Sequence, residues 1–187
     1  MPPKVKVTKD EIVQTALELV RRNGETAINA RSIAAKLGCS TQPVFSNFAT
    51  MEELQNATVT AAYQLYLEFL QNEVKSEKYP PYKSFGMAYI RFAKEEKELF
   101  KLLFMCDKNG KKLVPTLDFD ASVEMIMNAN GITKEKATLL HLEMWACVHG
   151  IGVMLVTSFT DLEWELISTM LTDVYQGLRK KHISEDN

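Results

Sequence analysis

The residues best suited to chemistry form a short polar run, Ser40-Thr41-Gln42, set directly after Gly38-Cys39. All three side chains hydrogen-bond. A glutamine carboxamide can pair in two bonds with an adenine edge, and hydroxyls bond to several base edges. Asn29 and Arg31, a little upstream, suit phosphate oxygens. Val44, Phe45 and Asn47 continue the same stretch. This is the chemistry of recognition rather than of bond making, and nothing else in the chain supplies the latter. The histidines are His141, His149 and His182. The first two stand eight residues apart on one expected helix, about 12 Å at 1.5 Å per residue, too far to share an ion. Cys39, Cys106 and Cys147 fit neither a zinc spacing nor a redox pair and read as reduced cytoplasmic thiols. Glu95-Glu96 and Glu163/Glu165 read as solvated faces. The expectation is no enzyme, no metal and no cofactor.

The elements that must position Ser40 to Gln42 are helices. Eight Gly and six Pro in 187 residues, with no convincing alternation, leave little room for strands and give an all-α class. Thr8 and Glu11 form a capping box that opens a first helix with Ile12, Val13, Ala16, Leu19 and Val20 on one stripe, stopped at Gly24. Asn29 caps a short helix whose Ile33, Ala34 and Leu37 face inward. Gly38 supplies a tight turn, Ser40 is expected to cap the next short helix, and Pro43 fits its first turn. Two short helices joined in this way make a helix-turn-helix, the second helix offering its exposed N-terminal residues to a major groove. Thr50 and Glu53 launch a long helix through about Lys75, with Leu54, Ala57, Ala61, Leu65 and Phe69 aligned. Beyond Pro80-Pro81 come helices carrying Phe85 to Ala93, then Leu99 to Phe104. A loop over 106–118 follows, then a helix from about Phe119 to Asn130. Two long helices close the chain, at about Thr133–Phe159 and Leu162–Lys180.

Residues 1–50 hold seven Lys/Arg against four Asp/Glu, a surplus of three, while the whole chain stands at −2; the rest is therefore at −5. A basic head on an acidic body suits a polyanion bound at one end. No apolar leader follows the basic N-terminus, and the apolar run 144–156 is too short to span a bilayer. A cytoplasmic protein without membrane contact is expected.

The stretch from Ala30 to Phe48, followed by Glu52-Glu53-Leu54 and preceded by Ile12, Ala16, Leu19 and Gly24, resembles the head of TetR-family transcriptional regulators. Tyr89 to Ala93 with Leu99-Phe100, and Trp145 to Gly150, resemble segments of their C-terminal domains. The resemblance implies a three-helix DNA-binding head over 1–52 and a six-helix effector-binding and dimerisation body over 53–187. It also implies a homodimer built from the last two helices, a double-stranded DNA operator, and repression relieved by a small-molecule effector. DNA contacts then fall to Asn29, Arg31, Ser40, Thr41, Gln42, Val44, Phe45 and Asn47. The chain departs from the family at Phe45, where tyrosine is usual, at Asn47, often histidine, and at Met51, usually lysine. The loss of a hydroxyl and a cation weakens nonspecific affinity, which Lys4 and Lys6 can offset along the backbone.

Tyr66, Tyr89, Phe92, Phe104, Met125, Met144 and Trp145 fall on expected inward stripes of the body, and His149 stands in the apolar run beside them. Any one of them is more often core than ligand contact, but together they suit an apolar or aromatic effector. Trp164, Ile167, Leu171, Val174 and Leu178 repeat in steps of three and four, a seam for a partner helix. An activator of the same fold, or a helical protein-interaction module that has lost DNA binding, shares these motifs.

Overall fold

The computed structural model describes residues 7–105 and 117–184. Lys4, Lys6, Cys106 and the expected loop with Asn109-Gly110 and Pro115 lie outside the described residues. Within them the chain is helical and has no strand. It divides into two compact units.

The first unit comprises Met1–Glu68 and Glu96–Cys106. Helix α1 (Lys9–Asn23) begins where Thr8 Oγ1 accepts from the Glu11 N–H at 3.2 Å and Glu11 returns a carboxylate oxygen to the Thr8 N–H at 2.8 Å. This reciprocal cap satisfies two backbone donors that the first helical turn leaves open. Ile12, Ala16 and Val20 are fully buried one turn apart. Gly24 ends the helix at a φ of 78°, and a Cβ there would lie 3.1 Å from Glu98 Oε2. Helix α2 (Ala30–Leu37) is capped by Asn29, whose Oδ1 accepts from the Ser32 N–H at 2.9 Å. It stops at Gly38, in the left-handed region at φ 66°, ψ 31°, where a Cβ would be strained.

Helix α3 (Gln42–Asn47) starts from Thr41 rather than Ser40, and no side chain caps it. The Thr41 carbonyl takes the Val44 and Phe45 N–H groups instead, and Pro43 in the first turn removes one donor that would need a partner. Helix α4 (Met51–Lys75) begins with Thr50 Oγ1 accepting from the Glu53 N–H at 3.1 Å, while Glu53 accepts from the Ala49 N–H at 2.9 Å. Its fully covered positions are Leu54, Thr58, Ala62 and Tyr66. The expected stripe through Ala57, Ala61 and Leu65 is only half-buried, so the helix is rotated by one position. Thr58 fits the core because its hydroxyl donates to the Leu54 carbonyl at 2.8 Å. Helix α6 (Lys97–Phe100) and the π-type turn Lys101–Met105 bury Leu99, Phe100, Leu102 and Leu103. Arg21 holds this segment to α1 in a two-bond pair with Glu96 at 2.9 and 2.8 Å.

The second unit comprises Phe69–Glu95 and Asp107–Asn187. Helix α5 (Pro81–Glu95) is its centre and is buried at Ser84, Met87 to Ile90, Phe92 and Ala93. It packs on α7 (Leu117–Asn130), α8 (Lys134–Val156) and α9 (Trp164–Ser184). Gly86 permits the close crossing: a Cβ there would sit 3.2 Å from Val148 Cγ2 and 3.4 Å from Leu171 Cδ1. By length and composition α8 is apolar enough to cross a membrane. Here it contacts α5, α7 and α9, and such a helix is equally the core helix of a folded body.

Candidate functional site

The face of α3 is set by which side chains the core withdraws from it. Val44, expected to face DNA, is 1% exposed and supports the helix from beneath, as does Phe48. Gln42, Phe45 and Ser46 remain outside, at spacings of three and four, with Phe45 55% exposed. Ser40 is exposed and Thr41 half-buried beside them. The Ser46 hydroxyl donates to the Gln42 carbonyl at 2.9 Å. Both Asn47 amide hydrogens are engaged, with Pro43 O at 2.8 Å and Val7 O at 3.4 Å, so a phosphate contact there must first break one of them. The Asn29 oxygen is likewise held by its capping bond, and its amide nitrogen donates to Ala27 O at 3.4 Å.

Cations in this unit are mostly paired. Lys9 meets Glu53 at 2.8 Å and lies over the Phe48 ring at 4.6 Å, and Lys36 meets Glu18 at 2.7 Å. The hydrogen bond from Lys9 holds the Glu53 carboxyl below its usual range, and that from Lys36 does the same for Glu18. Arg31 is exposed and, among the described residues, joins no ion pair. The N-terminus of α4 carries Glu52 and Glu53 in its first turn, which opposes a phosphate at that dipole. What remains open is therefore Arg31, Ser40, Thr41, Gln42 and Phe45.

The expected effector residues divide between the units. In the first, Tyr66 packs edge-on to Phe104 at 5.4 Å and against Tyr63 at 5.9 Å. In the second, the Tyr89 hydroxyl bonds His149 Nδ1 at 2.8 Å, and Trp145 stacks on the same imidazole with centroids 5.0 Å apart and planes 12° from parallel. Burial pushes the Tyr89 phenol well above its ordinary pKa and His149 below its own. Phe92 is fully buried with its ring edge-on to Phe69 at 5.3 Å. Met144 is buried and Met125 half-buried. Trp145 is 49% exposed, so it is not the lining of a closed core.

Two polar clusters of the second unit were not anticipated. Tyr82 bonds His141 at 2.9 Å, with Phe119 and Tyr175 packed around the pair, while Asn130 links Tyr175 to Arg179. Buried Glu73 accepts from Arg91 at 2.9 Å, and the guanidinium lies over Trp164 at 4.7 Å. A tyrosine and a histidine 59 positions apart give no local signal of pairing. The α9 seam is also differently used. Ile167 and Leu171 pack inside the unit, and Trp164, Val174 and Leu178 are half-buried. The large apolar side chains this unit leaves exposed are Leu139, Leu142 and Trp145 on α8, Leu166 on α9, Val74 near the end of α4, and Phe159 just after α8. Among the described residues no three His, Cys, Asp or Glu side chains converge as a metal site. No model of a known protein family matches the chain, and no curated protein matches it either.

Proposed function

We propose that the chain is a cytoplasmic DNA-binding transcriptional regulator of the TetR type. In this reading α2, the Gly38 turn and α3 form the helix-turn-helix. The observation that carries it is the exposed face of α3, which presents Gln42 after exposed Ser40, in a unit where exposed Arg31 joins no ion pair among the described residues. An exposed glutamine on a short helix can read a base edge, and an exposed guanidinium can fix the backbone. The resemblance over 8–55 supports the same reading. The chain acts as a homodimer, joined where α8 exposes Leu139, Leu142 and Trp145 and α9 exposes Leu166. An apolar or aromatic effector binds the body and favours a conformation in which the two recognition helices miss consecutive major grooves.

Incubating the full chain with a pool of random-sequence duplexes, and recovering the bound fraction through several rounds, tests the reading. Enrichment of a two-fold-symmetric sequence is expected. A pool that stays unenriched at low salt overturns DNA binding and leaves a helical protein-interaction module.

A further inference from the structure

Phe45 is a large apolar side chain left 55% exposed on α3, although Val44 beside it and Phe48 just past the helix are buried. The exposed side chains nearest it along α3 and the preceding turn can all hydrogen-bond. Gln42 lies three positions before it and Ser46 one after, with Ser40 and Thr41 in the preceding turn. A phenyl ring in that company can neither donate nor accept a hydrogen bond. When the face is covered, the ring gains only by meeting another apolar group. Within a major groove the base edges present one such group, the thymine C5 methyl. A protein partner would offer the ring a wider apolar surround, but Phe45 has polar neighbours and, in the same unit, an exposed cation, Arg31, that joins no ion pair among the described residues. Those features suit a polyanion.

We propose, resting on the DNA-binding reading above, that Phe45 reads a thymine through its methyl group and so sets specificity beside Gln42. Spacing sharpens the assignment. Side chains three positions apart on a helix have Cβ atoms about 5–6 Å apart. Successive bases along a strand rise about 3.4 Å. Gln42 and Phe45 therefore address base pairs one or two steps apart. With Gln42 on an adenine edge, the half-site holds an adenine and a thymine within two steps of each other.

Uracil pairs as thymine does and lacks only the methyl, so it isolates the contact. The duplex recovered from the random pool is resynthesised with each thymine replaced singly by uracil, and binding is measured at one fixed salt concentration. For the wild-type chain one position per half-site should weaken binding about four-fold, the effect of leaving one CH₂-sized group unburied. That position should lie within two steps of the adenine whose replacement is silent in Gln42→Ala. Phe45→Ala should bind the thymine duplex correspondingly less well and should no longer distinguish thymine from uracil there. The side chain is exposed, so this variant keeps the core intact, and circular dichroism confirms its folding. Uracil tolerated at every position by the wild type, or discrimination retained by Phe45→Ala at the same position, overturns the assignment while DNA binding stands. Failure to enrich any duplex overturns both.

Discussion

Trp145 lies flat against the face of His149 on α8, and the edge of that imidazole is bonded through Nδ1 to the Tyr89 hydroxyl on α5 at 2.8 Å. A half-exposed indole, an imidazole and a buried phenol thus form one connected column across two helices of the second unit. The histidine in the middle is the titratable member, and burial lowers its pKa from the ordinary 6.5. His141, bonded to Tyr82, is lowered for the same reason.

That direction fixes a pH dependence. As pH falls below about 6.5, the unfolded chain takes up protons at these sites before the folded chain does. The stability due to neutral His141 and His149 is complete above that pH and is lost as pH falls through the lowered folded values. The melting temperature of the second unit should drop between pH 7 and pH 5, read by near-ultraviolet circular dichroism. His149→Gln, which can still bond Tyr89, should flatten part of the slope. Glu18 and Glu53, held low by Lys36 and Lys9, act in a separate window that opens only below about 4.5.

Self-association should depend on α8 more than on the α9 stripe. Leu142→Glu places a carboxylate on the exposed apolar face and should weaken the dimer by about a hundredfold or more, as expected for an uncompensated buried charge. Sedimentation velocity should then report a folded monomer. Ile167→Glu should instead unfold the second unit, because Ile167 is fully buried within the chain. A Leu142→Glu protein that remains dimeric at micromolar concentration would remove this face from the interface.

Arg31 and Lys36 offer a matched comparison, since among the described residues the first joins no ion pair and the second is bonded to Glu18 at 2.7 Å. Arg31→Ala should lower affinity for all duplexes alike and reduce the salt slope by about one. Lys36→Ala should change the slope less. Gln42→Ala should cost about 1–3 kcal/mol at particular base pairs and leave the slope intact. An Arg31→Ala slope equal to that of the wild type would show that Arg31 meets no phosphate.

Gly86 should tolerate no branched side chain. Its Cβ position already lies within 3.2 Å of Val148 and 3.4 Å of Leu171, so Gly86→Val forces α5 away from α8 and α9. A loss of about 1–3 kcal/mol is expected in urea unfolding, typical of overpacking a filled core. A variant as stable as the wild type would mean that the crossing relaxes freely.

Sequence revealed what short-range chemistry decides. The Thr8–Glu11 box, the Asn29 cap and the left-handed Gly38 are contacts within four residues, and each stands in the structure as expected. Elements set by neighbours in space were less legible. The burial of Val44 and the turn of α4 toward Thr58 depend on what packs against those helices, and a periodic stripe fixes its own direction only loosely. The α9 repeat of threes and fours was visible. Whether it meets α5 and α8 of its own chain or a second copy is not written in its spacing. At the candidate site, residue types were legible, but the engagement of Asn47 by two carbonyls was not, since Val7 lies 40 positions away.

The composition of the first unit from two separated stretches has a consequence for synthesis on the ribosome. Residues up to Glu68 emerge first, yet Leu99, Phe100, Leu102 and Leu103, which belong to the same unit, are translated later. At about 5–20 residues per second the nascent head waits several seconds for these side chains. During that interval the surface of α1 that α6 will cover stays open, and Arg21 lacks Glu96, its partner 75 positions on. The closing step is a long-range encounter rather than a local one, so it should set the pace of maturation for this unit. A chain cut after Glu68 would carry α1 to α3 without the later side chains that complete their unit. Helix α1, on which α3 packs, therefore gains its full cover only after more than half of the polypeptide has been made.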